Sequence, residues 1–321
     1  LQNTVGLIVN VIVLLLICNL AEGALQYVKT CLVISTVHCI LFSLMNHLLV
    51  PTHHLTREGY FITLHGEFLP LLPSHLITCL LFTSFFLHSL TWTLQPFNFI
   101  VQYLVIAKKG GITSRIFIAL IFLSFCLSIP HFLLYVIFFP SESESKLISE
   151  ILQRSYTLDD LSFVSSSFVY GSTFENRKTC DYLISWLGFG SSFGLSYVIV
   201  LSFVWKLVRI TRNDLLKDRK ESVIAHWRVT RWLITQSLVP FIPIFSTISI
   251  ILISFSLNLN LPFVSPSILI SVLSTVSPIV QGLVNFIQIT RWNCSNIDLK
   301  RPKRVKSGRR NTITQSSSTM F

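Results

Sequence analysis

The chain has 321 residues, 51% of them hydrophobic and only 12% charged, with a formal net charge of +11. Soluble domains carry about 25% charged residues, so the composition excludes an ordinary water-soluble fold and indicates an all-α protein that crosses a membrane several times. The basic excess is not evidence for nucleic-acid binding until the charges are placed along the chain. No Met begins the sequence and an apolar run starts almost at once. The natural N-terminus is therefore expected upstream, and no charged stretch with a cleavage site of the secretory type precedes the run.

The apolar segments follow in order. The first runs from about Val5 to Leu20 around Asn10, and the second from about Cys31 to Val50 with Ser35, His38, Asn46 and His47. The third, Leu76 to Val105, contains no acidic or basic side chain and is long enough to cross a hydrocarbon core of roughly 30 Å with some tilt. Its polar residues Ser84, His88, Thr91, Gln95, Asn98 and Gln102 recur at spacings of 4, 3, 4, 3 and 4, which places them on one helical face. A side-chain amide or imidazole facing lipid has no partner, so this face must look into protein, and the third helix is expected at the centre of a bundle. The inner residues Gln95, Asn98 and Gln102 fit interhelical hydrogen bonding. His88, Thr91 and Trp92, nearer the outer end, fit either that role or contact with a ligand. Pro96 removes a backbone donor and is expected to bend the helix.

The fourth segment, about Ile116 to Phe139, repeats a spacing of 4, 3 and 4 in Ser124, Ser128, His131 and Tyr135. The fifth runs from about Leu183 to Trp205. The sixth runs from about Leu233 to Leu257 with Gln236, Pro240 and Pro243, and the seventh from about Ser267 to Thr290 with Ser274, Gln281, Asn285 and Gln288. Seven helices thus make a bundle over residues 1–290, followed by a basic, Ser/Thr-rich tail over residues 291–321.

Charge sets the expected orientation. Twenty of the 25 Lys and Arg fall in one set of links and in the tail, including Lys108, Lys109, Arg115, Arg209, Arg228 and Arg231. The other links hold five, together with nine of the 14 acidic residues. Basic residues stay on the cytoplasmic side, so the N-terminus is predicted outside and the C-terminus in the cytosol, with the charge facing anionic lipid and cytosolic partners rather than nucleic acid. Cys79, at the outer end of the third helix, and Cys180, in the long loop from Pro140 to Tyr182, then share the oxidising side. There they are expected either to form a bridge or to stand as two separate thiols. The first half of that loop, rich in Ser and Glu, is expected to carry no regular structure.

An N-out chain of seven helices with cysteines above the third and before the fifth resembles a G-protein-coupled receptor. FNFIVQYLVIAK (Phe97–Lys108), RWLITQSLVPFIPIF (Arg231–Phe245), GLIVNVIVLLLI (Gly6–Ile17) and STVSPIVQGLVNFIQITRWN (Ser274–Asn293) resemble, in order and spacing, the third, sixth, first and seventh helices of nematode serpentine chemoreceptors of the Str superfamily. The resemblance covers essentially the whole chain. It implies a plasma-membrane receptor of sensory cells or cilia that detects an odorant or pheromone and signals to a heterotrimeric G protein, with no cofactor and no catalytic residue. In that reading His88, Thr91, Trp92, His131 and Ser274 contact ligand. Gln102, Tyr103, Lys108, Lys109, Arg228 and Arg231 form the coupling surface, and Gln236, Pro240 and Pro243 make the sixth helix the moving element. No charged side chain lies in the outer halves of the helices, so the ligand is expected to be small, neutral and partly apolar.

The family pattern F-I-Y-R-Y-L-V has Arg before Tyr, whereas here Gln102 precedes Tyr103. Gln hydrogen-bonds but carries no charge, which allows altered coupling, high basal activity, a non-signalling relic, or simple drift. The seventh helix also has no Asn-Pro-x-x-Tyr string. In the tail, Cys294 is a candidate palmitoylation site, and the run from Lys300 to Arg310 should lie on anionic lipid, with Thr312 and the cluster from Ser316 to Thr319 open to phosphorylation. The sequon at Asn293 falls on the cytosolic side and should stay unglycosylated. A metal site is disfavoured because the nine His are spread over separate segments without i, i+4 pairs. A transporter or ligand-gated channel is the other rival. No internal repeat and no intramembrane charge supports it.

Overall fold

The computed structural model describes residues 2–19, 26–55, 59–107, 112–137, 139–155, 168–173, 179–216 and 276–287, together with 230–231, 234–235, 238–239, 246 and 289–290. The helices are α1 (Gln2–Cys18), α2 (Gln26–Leu49), α3 (Ser74–Ala107), α4 (Ser114–Ile137), α5 (Glu142–Ser155) and α6 (Thr179–Leu216), with a further apolar helix at Val276–Ile287. Among the described residues, four helical stretches are long and apolar enough to cross a membrane, namely Lys29–Leu49, Ser74–Val105, Ser114–Ile137 and Gly190–Ile210. The fold is an all-α membrane bundle in which α3 is central and packs against α2, α4 and α6.

Burial follows the composition of each helix. The face of α3 that carries Ser84, Gln95, Asn98 and Gln102 is buried, with His88 and Thr91 half-buried on it. α3 runs through Pro96, and α4 through Pro130, without a break in the helix. By contrast α4 turns Ile118, Phe122 and Leu127 outward, Phe122 with 68% of its surface exposed. In water such a face would be an aggregation liability; in a bilayer acyl chains cover it. Its polar side chains Ser124, Ser128 and His131 point inward instead. α1 packs on the Val276–Ile287 helix through small residues. A Cβ built at Gly282 would stand 2.9 Å from Val9 and 3.0 Å from the Asn10 side chain, so only Gly allows this approach. The Asn10 amide then donates to the carbonyls of Gly6 (2.8 Å) and Pro278 (3.0 Å).

At the end of the bundle where α2 and α4 finish and α3 and α6 begin, the connecting segments fold into a cap. β1 (Pro51–Leu55), β2 (Gly59–Leu64) and β3 (Phe168–Thr173) form an antiparallel sheet in the order β1-β2-β3. The register pairs His54 with Phe61 and Phe61 with Gly171. Alternation sends the strands' side chains to two faces. Ile62, Leu64 and Tyr170 pack down onto Leu49, Ile77, Leu81 and Phe85 of the bundle. Phe61 and Val169 pack up against Ile148, Ile151 and Leu152 of α5.

α5 corrects the expectation that the first half of the long loop has no regular structure. Ser141 and Glu144 form a capping box, with the Glu144 amide donating to Ser141 Oγ at 3.3 Å and the Ser141 amide to Glu144 Oε2 at 2.8 Å. Ile148, Ile151 and Leu152 recur at helical spacing and acquire an apolar partner only because the sheet lies beneath them. A Ser- and Glu-rich composition describes the helix's exposed side and hides its buried stripe.

Candidate functional site

Just below the cap, α3 carries an aromatic and imidazole group shared among four helices. The His88 ring lies 5.9 Å from Trp92 at 75°, 6.0 Å from Tyr135 of α4 at 89°, and 5.9 Å from Phe42 of α2. His131 of α4 stacks near Trp92 at 6.5 Å and 13°, and near Tyr135 at 5.9 Å. Phe193 of α6 meets the Trp92 ring edge-on at 5.1 Å. Ser196 of α6 donates to the Trp92 carbonyl at 2.6 Å and fixes α6 against α3. The roof is Tyr170 of β3, whose hydroxyl donates to the Tyr135 carbonyl and whose ring lies 4.7 Å from Phe85. Phe85 in turn stacks on Tyr135 at 4.5 Å.

Of the sequence-derived ligand contacts, the structure therefore brings His88, Trp92 and His131 together. Thr91 sits in the α2–α3 seam. Its hydroxyl bonds the Leu87 carbonyl at 3.2 Å and lies 3.5 Å from His38 Nε2, which itself is 2.8 Å from the same carbonyl. A carbonyl only accepts, so His38 carries its proton on Nε2 here. Ser274 lies outside the described residues. Sequence reasoning missed Phe42, Phe193 and Tyr170, and it recorded Tyr135 without a role. The spacing of Ser124, Ser128, His131 and Tyr135 was the available signal for α4. Nothing local signals Tyr170, which arrives through a strand pairing far along the chain.

At the opposite, basic end the α3 face is closed more tightly. Asn98 Nδ2 donates to Ser35 Oγ of α2 at 3.0 Å. Gln102 is only 3% exposed, and among the described residues neither its Oε1 nor its Nε2 finds a hydrogen-bond partner. Beside it, the Tyr103 ring lies 5.2 Å from Phe203 of α6, and the Lys206 ammonium stands 5.7 Å over Tyr103 and 4.8 Å over Phe203. Phe99, Val200 and Leu207 fill the layer around them. Arg231 is exposed; Lys108, Lys109, Arg228, Gln236, Pro240 and Pro243 lie outside the described residues.

Cys79 carries a free thiol on the exposed side of α3, facing away from Leu81 and Phe85. The side chain of Cys180, in the first turn of α6, lies outside the described residues. Among the described residues no three His, Cys, Asp or Glu side chains converge as a metal ion requires.

The family model for "Serpentine type 7TM GPCR chemoreceptor Str" matches residues 1–293. Among solved structures, the crystal structure of squid rhodopsin superposes with a TM-score of 0.52 at 13% identity, covering 94% of this chain and 85% of that one. At that identity the likeness concerns the fold alone. No curated protein matches the sequence.

Proposed function

Because the chain belongs to the Str family of serpentine seven-transmembrane GPCR chemoreceptors, we propose that it detects a small, neutral, partly apolar molecule, an odorant or pheromone, and signals to a heterotrimeric G protein. The family is one of multi-pass membrane receptors rather than enzymes. The observation that carries the ligand reading is the group formed by His88, Trp92 and His131. It offers flat apolar walls and a few hydrogen-bonding nitrogens, the composition of small-molecule sites. No Asp, Glu, Lys or Arg lies between Ser74 and Ala107 or between Ile116 and Ile137, so no such side chain in these stretches pairs with a charged ligand. Ser274 and Thr91 are proposed as secondary contacts, Thr91 through movement of the α2–α3 seam.

The charge asymmetry of the links supports an orientation with the sheet cap outside and the basic end in the cytosol. Agonist would act by its differential affinity for an open state, with the sixth helix moving at Gln236, Pro240 and Pro243. This exposes a surface built from Gln102, Tyr103, Lys108, Lys109, Arg228 and Arg231. Residues 1–290 are the receptor domain and 291–321 a regulatory tail on the inner leaflet, in the plasma membrane of sensory cells or cilia.

The test is a G-protein reporter screened with neutral volatile and with charged compounds. Surface-labelled wild type is compared with Trp92→Ala and with His131→Gln. A neutral agonist whose response falls at least tenfold in Trp92→Ala at equal surface level is the expected result. Responses confined to charged ligands, or currents that persist without G proteins, would overturn the reading.

A further inference from the structure

The outward face of α6 changes character along its length. Leu195, Val198, Leu201 and Trp205 are each at least 60% exposed, and Arg209 and Arg212 are exposed beyond them. Spacings of 3, 3, 4, 4 and 3 keep all six on one face of the helix. The buried Ser196, Val200 and Leu207 lie on the opposite side, where Ser196 bonds the Trp92 carbonyl and Val200 and Leu207 pack with Phe99 of α3. The strip therefore points away from α3. Its apolar part falls within Gly190–Ile210, a stretch apolar enough to cross a membrane, so acyl chains cover it. At the basic end the Arg209 guanidinium stands 5.6 Å over the Trp205 ring. From Gly190 to Asn213 the sequence holds no acidic residue. The two ion pairs among the described residues both belong to α5, in the cap at the other end of the bundle.

We propose that this face is a site for one anionic phospholipid of the leaflet at the basic end. Its acyl chains run along Leu195, Val198 and Leu201, its ester carbonyls meet the Trp205 indole, and its phosphate sits between Arg209 and Arg212. The indole fixes the depth, since its apolar body and N–H donor suit the membrane–water interface. A guanidinium stacked on that ring is held in place, and its planar fork offers parallel N–H donors to phosphate oxygens. Arg212 follows Arg209 by one turn, near enough for both to reach one phosphate. Charge selects the occupant. A second copy meeting this face across a two-fold axis would set the two Arg against their own equivalents. A zwitterionic choline lipid would bring a quaternary ammonium beside them, whereas an anionic headgroup adds only the attractive charge.

Each basic side chain close to an anionic surface favours attachment by roughly fivefold, so the pair favours an anionic over a neutral lipid by roughly 25-fold. The site lies on the back of the layer where Phe203 meets Tyr103 of α3. The proposal takes from the receptor reading only that this leaflet is the cytosolic, anionic one.

The test places the full chain, one copy per disc, in phosphatidylcholine nanodiscs. Each disc carries a trace of phosphatidylserine or of phosphatidylcholine with a photoreactive group on its acyl chain. After irradiation, labelling of residues 195–212 is read by peptide mass spectrometry. The phosphatidylserine probe should label this stretch on the order of tenfold more than the phosphatidylcholine probe, and unlabelled phosphatidylserine should compete. Arg209→Gln with Arg212→Gln should bring the two probes level. Arg301→Gln with Arg304→Gln, which removes the same charge from the tail, should leave the preference intact. Labelling of α4 by the phosphatidylcholine probe, equal in all variants, checks that each is folded. Equal labelling by both probes in the wild type would reduce the face to ordinary bilayer solvation. An equal loss in the tail variant would make the preference a diffuse surface effect, and either result overturns the site. So would discs holding two copies in which the stretch is shielded from both probes, since a second copy then covers the face. No agonist or G protein enters the measurement, so its failure is separate from any failure of the receptor reading.

Discussion

Gln102 offers a quantitative test of how this bundle trades stability against signalling. Its amide is buried, with both polar atoms unpartnered among the described residues. A buried amide without hydrogen bonds costs about 1–3 kcal/mol, and replacing it by an apolar group of similar shape recovers much of that. Met has nearly the volume and flexibility of Gln and requires little repacking. Gln102→Met is therefore expected to stabilise the resting receptor by about 1–2 kcal/mol, which for a chain of this size is on the order of 3–6 °C in unfolding temperature. A thiol-reactive fluorophore on detergent-solubilised receptor reads this directly, since Cys31 and Cys39 are both buried and become reactive on unfolding. Gln102→Arg, which restores the family's residue, should move the midpoint the other way. It buries a guanidinium at a position where the neutral Gln102 is only 3% exposed. In a reporter assay, Gln102→Met should lose coupling while gaining stability, since the coupling surface proposed above uses that amide. A lower melting point for Gln102→Met would refute the reasoning, since it would mean that the amide is satisfied in the resting state.

Two further tests probe the packing and the thiols. Gly282→Ala should lower the melting midpoint by several degrees and reduce surface expression. The new methyl would meet Val9 at 2.9 Å and the Asn10 amide at 3.0–3.1 Å, where that amide holds Gly6 and Pro278. An unchanged midpoint would show that α1 shifts freely. Cys79, exposed and free, should react with a membrane-impermeant maleimide on intact cells without prior reduction. Labelling that appears only after reduction would establish the bridge to Cys180.

The bundle was legible in the sequence because the bilayer makes one-dimensional patterns informative. A polar side chain facing lipid has no partner, so the period of Ser84, His88, Gln95, Asn98 and Gln102 alone tells which face of α3 turns inward. The same holds for Ser124, Ser128 and His131 on α4. Three features were not legible, each because it depends on partners distant in sequence. β2 pairs with β3 across about a hundred residues, so neither the sheet nor the apolar stripe of α5 that covers it announces itself locally. Thr91 and Trp92 are adjacent in sequence, yet they diverge into a seam with α2 and a ring cluster with α4 and α6, according to which neighbour stands opposite. Tyr170 enters the roof of the candidate site only through that sheet. Sequence by itself determined which residues avoid lipid, through desolvation. Tertiary structure decided which of them meet, because that depends on chain crossings whose contacts no local period encodes.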